Sequence, residues 1–367
     1  MNHHRGATAA KPPRYVPILK TLGGELRALE EAAASTRNGF VPLVEVARQK
    51  IAGLGPPPSS RLPRTADRLE AAIGPGRPFF LDFPWLSSKT RIKVRQGNSR
   101  VPVLAIEHIM ADCIGRGLDF IPVARPTKDV GYLSLVKNAA AVHGRGVCLR
   151  IPLAAVWVTG NGIARTLDSL LTATDVDRGA ADLLLDLRYI DPTPGFDAGH
   201  LARSLASVPA LHEWRSLTIA GTVIPSTLAG FQEDDITPLQ RHEWRVWKEL
   251  RSLGIDRLPD YGDYGVQHPD PPDASGPGMR ANIRYTTDDC FLMVRGRSVI
   301  EYGYDQYSGL CTKLSGHKDF AGGPFSWGDQ AIVDCAAGYP APKTQQHWRG
   351  AGTSHHLRHV VEALGRG

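Results

Sequence analysis

The chain has 367 residues, with 43 basic against 37 acidic side chains and a formal charge of +6, and the excess is spread along the sequence rather than blocked. That length fits one barrel-sized domain with an appendage, or two ordinary domains, and the charge permits an anionic partner without requiring one. Five widely spaced cysteines without a CxxC pair argue against zinc, redox exchange or a disulfide framework, and no run reaches the roughly 18 apolar residues of a membrane helix. The expectation is a membrane-free, cytoplasmic protein with reduced thiols, whose residues 1–14 lack a signal-peptide core and form a disordered tail.

From Tyr15 onward, short apolar runs alternate with amphipathic stretches, the pattern of β/α units on a parallel sheet. Strands are expected at 15–20, 40–46, 78–83, 119–125, 146–153, 182–189 and 216–224. Helices are expected at 25–34, 65–73, 106–116, 132–143, 163–173, 200–208 and 238–253, the last with Pro238 at its start and Gly254 beyond its end. The stretch Leu258–Pro269, LPDYGDYGVQHP, follows or contains an eighth strand. The predicted class is α/β: a (β/α)8 TIM-barrel-like domain over 15–269 with a C-terminal α+β extension or lid over 270–367. An open doubly wound sheet is the rival, but no Gly-rich phosphate loop follows the first strand. Asp270–Gly278 reads as a loop, followed by a strand pair at 282–286 and 290–295 and helices near 327–337 and 354–364.

A weak internal repeat supports the barrel. Pro17, Pro42, Pro78 and Pro122 each stand near a strand start, and a charge follows three or four residues later: Lys20, Glu45, Asp82 and Arg125. Those charges, with Arg150, Asp186 and Arg188, fall at strand carboxyl ends, where barrel enzymes gather their sites. Asp186 and Arg188 are two apart on one strand and are expected to share a face as an ion pair in the lumen. A buried charge network that is merely paired also explains such a ring.

Glu45, Asp82 and Asp186 are the candidate acids and bases, or oxygen ligands of a divalent metal, although no HxH, HExxH or DxDxDG spacing names a metal or cofactor. Lys20, Arg125, Arg150 and Arg188 suit an anionic substrate. In Leu258–Pro269, Asp260, Asp263 and His268 are expected at the cavity rim as hydrogen-bonding or proton-transfer groups, and Tyr261 and Tyr264 as stacking surfaces. Asp263→Asn would then spare stability and cost binding. A tight Gly/Asp turn is the structural alternative. Arg284, Arg295 and Arg297 with Tyr285 form a second basic cluster, read as phosphate clamps or as one face of an exposed strand pair. His355 and His359 are i,i+4 on a helix, a spacing open to zinc but lacking a third ligand motif.

With Tyr15-Val16-Pro17-Ile18-Leu19-Lys20, Val41-Pro42-Leu43-Val44-Glu45, Gly262-Asp263-Tyr264, His268-Pro269, Trp327-Gly328-Asp329 and His355-His356-Leu357 in this order, the chain resembles the "beta protein" family of phages and bacterial mobile elements. The resemblance spans about Tyr15 to Leu364. It implies a phage or prophage setting and carries over no catalytic residues. The expected function is hydrolysis or transfer at a phosphoester or nucleotide-like anion. The alternative is a non-catalytic nucleic-acid- or protein-binding module using the same charged mouth.

Overall fold

The computed structural model describes residues 14–47, 62–153, 162–191, 196–270, 279–340 and 342–366. The expected tail before Arg14 and the expected loop after Asp270 lie outside them. In chain order the strands are β1 (Tyr15–Lys20), β2 (Leu43–Glu45), β3 (Phe79–Asp82), β4 (Arg91–Gln96), β5 (Ser99–Leu104), β6 (Phe120–Ala124), β7 (Val147–Pro152), β8 (Ala181–Tyr189), β9 (Ser216–Thr222), β10 (Asp235–Gln240), β11 (Asp260–Asp263), β12 (Arg280–Thr286) and β13 (Cys290–Ser298). The helices are α1 (Gly23–Glu31), α2 (Ala34–Arg37), α3 (Thr65–Ala72), α4 (Ala105–Gly115), α5 (Val130–His143), α6 (Gly162–Thr174), α7 (Ala198–Ala206), α8 (His242–Leu250), α9 (Val299–Tyr302), α10 (Tyr307–Ser315), α11 (Trp327–Ala336) and α12 (Gln345–Gly365).

Strands β1, β2, β3, β6, β7, β8, β9 and β11 pair in parallel, each with the next and β11 with β1, and close an eight-stranded barrel. The fold is (β/α)8. Two-residue alternation sorts the side chains: Val16, Ile18, Leu43, Phe80, Val123, Cys148, Leu184 and Ala220 fill the lumen, while Leu19, Val44, Leu81, Leu149, Leu183 and Leu185 face the helices. Continuing the inward series toward the carboxyl ends gives Lys20, Glu45, Asp82, Arg150 and Asp186. The top layer of the lumen is therefore charged where the lower layers are apolar.

The eighth helix comes from the end of the described chain. Gly24, at the start of α1, lies against Gly350, and Gly39, just before β2, against Val361, so α12 runs beside α1 from the carboxyl to the amino end of the barrel. Its Leu357, Val360 and Leu364 join the same core as Tyr15 and Leu19. A Cβ at Gly24 or Gly350 would collide with the other helix's backbone, which is why the pair approaches so closely.

Beyond the barrel, β10, β13 and β12 form an antiparallel sheet over a second core of Ile283, Tyr285, Val294, Leu310, Leu314, Ile332 and Trp348. β10 precedes the last barrel strand in sequence, so the extension's sheet takes a strand from within the barrel's stretch. Here Pro238 departs from expectation: it lies in β10 opposite Leu292, and the helix begins at His242. β10 is an edge strand, the one place in a sheet where a residue without an N–H is cheap. A further hairpin, β4–β5, turns at Gly97-Asn98, with Gly97 at φ 59°.

Candidate functional site at the carboxyl end of the barrel

Arg150 is the centre of the charged layer. Its Nη1 donates to Glu45 Oε1 and Asp82 Oδ2, both at 2.7 Å, its Nε to Asp186 Oδ2 at 2.9 Å, and its Nη2 to Tyr264 Oη at 2.8 Å. Tyr264 Oη in turn lies 2.7 Å from each Asp186 oxygen. Arg150, the three acids, Lys20 and Tyr264 are each at most 3% exposed. Burial alone would lower the Arg150 pKa, but Tyr264, Asp186, Glu45 and Asp82 outweigh it and hold the guanidinium charged. Burial, helped by Asp186 and Glu45 against Arg150, pushes the Tyr264 phenol well up, so it stays a donor. The planar five-donor fork lets one side chain satisfy three carboxylates arriving from three strands.

Around this floor, Lys20 Nζ stands 3.7 Å from Glu45 Oε2, donates to the His268 carbonyl at 3.2 Å and lies 5.6 Å from the Tyr264 ring centroid. Glu45 Oε2 accepts no hydrogen bond among the described residues. Arg125 reaches Asp82 at 3.4 Å and the Phe83 carbonyl at 2.9 Å, with its guanidinium over Tyr132. Its side chain is 21% exposed and Arg188's is 38%, so these two arginines form the solvent side of the mouth. The half-buried His268 ring packs on Tyr189, and burial lowers its pKa.

Arg188 does not pair with Asp186 through its side chain. A bulge falls between Asp186 and Arg188, and Arg188 has φ 55°, so its backbone N–H caps Asp186 at 2.8 Å while the guanidinium swings out to Asp270 at 2.5 Å. The two-residue alternation assumed for that pair is broken at the bulge.

Two participants escaped sequence reasoning. Glu25, in the first turn of α1, is fully buried with neither oxygen hydrogen-bonded among the described residues; burial raises its pKa against the nearby charges of Lys20 and Arg349. Arg349, on α12, also faces Arg284. Arg284 donates to the Val266 carbonyl at 2.7 Å and Gln267 Oε1 at 3.3 Å and has no carboxylate partner among the described residues; burial and then Arg349 lower its pKa to about 9. An acid in a first helical turn ordinarily signals helix-dipole compensation.

The comparisons with known proteins bear on family and not on chemistry. Residues 15–362 match the family described as Beta protein. The chain belongs to the Beta protein family. A search of curated proteins gives no match. Among solved structures the chain is similar to triosephosphate isomerase from Bartonella henselae, at 12% identity and TM-score 0.34, covering 69% of this chain and 92% of that one.

In this member of the Beta protein family, β11 divides the Leu258–Pro269 residues between two faces. Gly262 and Tyr264 point into the lumen, and Tyr261 and Asp263 point out under the helices. The rim position expected for Asp263 is thus corrected: it is buried outside the wall, accepting from Tyr15 Oη at 2.7 Å and Gly265 N at 2.9 Å and meeting His356 Nε2 at 2.8 Å. Tyr261 is buried between Tyr15, Trp244 and Trp247, with no face left for a ligand. Asp260 accepts from the Arg14 N–H at 2.9 Å at the other end of the strand. Arg295 binds the Ala229 carbonyl and Glu233, each at 3.2 Å, and so ties down the connection after β9.

His355 sits 3.0 Å from Asp329 Oδ2 and 2.8 Å from the Thr286 carbonyl, stacked on Tyr285. His359 is partly buried beside it, 3.3 Å from Asp288 Oδ1, and burial, with the neighbouring His355, pushes its pKa down to about 2. Among the described residues no three of His, Cys, Asp and Glu are grouped to hold a metal ion. No described helix is long and apolar enough to cross a membrane.

Proposed function

We propose that the carboxyl end of the barrel binds a small organic anion of the phosphate-ester class, with 15–269 as the binding barrel and 270–367 as the extension that supplies Arg284 and Arg349. The observation that carries this reading is the pairing of those two arginines, Arg284 bonded to the Val266 and Gln267 oxygens that follow β11 and Arg349 facing Glu25 together with Lys20. Among the described residues Arg284 has only neutral oxygens as partners and a second cation beside it. A phosphate accepting bidentate hydrogen bonds would relieve that repulsion. Arg125 and Arg188, paired with Asp82 and Asp270, form the solvent edge, and the Arg150 network forms the floor. On the motif resemblance we infer a phage or mobile-element setting, and on the widely spaced cysteines a cytoplasmic location.

Phosphoester hydrolysis is the second reading, favoured by one observation. Glu45 Oε2 has no hydrogen-bond partner among the described residues, while Lys20 stands 3.7 Å away. A carboxylate oxygen left free in this way is suited to take a proton from an attacking water.

Calorimetric titration of the full chain with AMP, pyrophosphate and phenyl phosphate tests binding. Saturable binding is expected, weakened at least about tenfold in Arg284→Gln, equivalent to about 1.4 kcal/mol. Unchanged affinity in that variant overturns the anion site. Release of p-nitrophenol from bis(p-nitrophenyl) phosphate tests hydrolysis. Release that survives Glu45→Gln, or is absent from the wild type, removes the second reading and leaves the first.

A further inference from the structure

At the opposite, amino-terminal face of the barrel, a cavity of about 390 Å³ opens between the starts of β1, β2 and β3. Its charged lining is Arg14, Arg37 and Arg77, with no carboxylate among the lining residues, and Phe40, Pro42 and Ile73 contribute to an apolar wall.

The three guanidinium groups differ in what they already bind. Arg37 donates to the Ala32 carbonyl at 2.5 Å and to the Glu30 carbonyl, neutral acceptors that leave its charge uncompensated. The Arg77 and Arg14 guanidinium groups have no hydrogen-bond or ion-pair partner among the described residues, although Arg77 is half-buried. Burial, and then the charge of Arg37, lower the Arg77 pKa. Side chains of one sign gathered in a concave, partly apolar site without an internal partner are the complement of a ligand of opposite sign.

We propose that this cavity is a second ligand site, separate from the barrel mouth, for a small organic anion whose phosphate or carboxylate group is held by Arg77, Arg37 and Arg14 and whose apolar body lies against Phe40, Pro42 and Ile73. A volume of 390 Å³ holds a single-ring molecule rather than a polymer. The wall predicts that an aromatic phosphate binds more tightly than inorganic phosphate.

The test uses the full chain and titrates phenyl phosphate and inorganic phosphate into the wild type, the double variant Arg14→Gln/Arg77→Gln, and Arg284→Gln. The double variant is expected to lose one phenyl phosphate site, or to bind it at least about tenfold more weakly, while Arg284→Gln retains that site. If the mouth also binds, wild type takes up two equivalents and each variant one. If the mouth reading fails, wild type takes up one and only the double variant loses it. Thermal unfolding gives an independent readout: phenyl phosphate should raise the wild-type midpoint more than that of the double variant, whose ligand-free midpoint should equal or exceed the wild type's because a like-charge contact is gone. A double variant that binds phenyl phosphate with wild-type stoichiometry and affinity overturns the proposal, as does binding abolished by Arg284→Gln alone.

Discussion

His356 Nε2 lies 2.8 Å from Asp263 Oδ2, and this buried pair joins α12 to the barrel wall at β11. Burial acts to raise the Asp263 carboxyl, but His356, Tyr15 and the Gly265 N–H together hold it below the usual carboxylate range. His356 is itself lowered, by burial against the pull of Asp263. Removing one partner strands the other without solvent. Asp263→Ala should cost about 3–5 kcal/mol of stability, measured by urea denaturation, with ligand affinity at the mouth unchanged in the folded fraction. This reverses the sequence expectation of a variant that spares stability and costs binding; a wild-type midpoint for Asp263→Asn together with lost binding would restore it.

Tyr264→Phe tests the floor of the mouth. It removes the hydroxyl that accepts from Arg150 and meets both Asp186 oxygens while leaving the ring in place. The expected cost is about 1–3 kcal/mol by denaturant titration, because buried acceptors lose their donor. A change below about 0.5 kcal/mol would mean that solvent reaches Asp186.

The pH profile of stability should have two flanks. His356 and His359 are lowered from 6.5, so below that pH the unfolded chain binds protons that the folded chain does not, and stability falls as pH drops. Asp263, lowered from 3.8, adds to the loss at still lower pH. Glu243 is raised by burial from 4.5 to about 8, and Glu25 is raised as well, so their contribution is full below 4.5 and lost as pH rises. The optimum should lie near the histidine value of about 6.5. Glu243→Gln should flatten the decline between about 6.5 and 8, and equal slopes in variant and wild type across that interval would refute the assignment.

Gly328→Ala probes the packing of α11 on α12. An added Cβ there meets the Ala351 backbone, which cannot rotate away. A loss of about 1–3 kcal/mol is expected from thermal unfolding, as for other overpacked contacts, and a neutral effect would mean that α11 can shift as a body.

The barrel was legible because prolines mark strand starts and the inward residues run from apolar to charged, as Ile18 to Lys20 and Leu43 to Glu45 do. Parity decided what was not. LPDYGDYGVQHP, which follows or contains an eighth strand, shows no alternation that sorts its residues, and of its two tyrosines only Tyr264, just past the four-residue strand, lies on the lumen side. Arg188 escaped because a bulge resets the count. Glu25 and Arg349 are separated by more than three hundred residues and meet only because α12 docks on α1, a long-range contact that local periodicity does not encode. The β4–β5 hairpin carries a local signal, alternating residues around Gly97-Asn98, but it interrupts the order of strand and helix that β/α units dictate.

Because α12 takes the place of the eighth barrel helix, the outer sides of β1 and β11 are only partly covered until residues 345–365 have been synthesised. Trp244 and Trp247 of α8 already cover Tyr261, but Tyr15 and Asp263 must wait for His356, a separation of more than three hundred residues for Tyr15. Closure across such a separation is slow to form. A nascent or truncated chain ending before Gln345 would present this apolar seam to whatever chaperone or neighbouring chain it meets, so the last helix governs how long the protein is exposed to aggregation during synthesis.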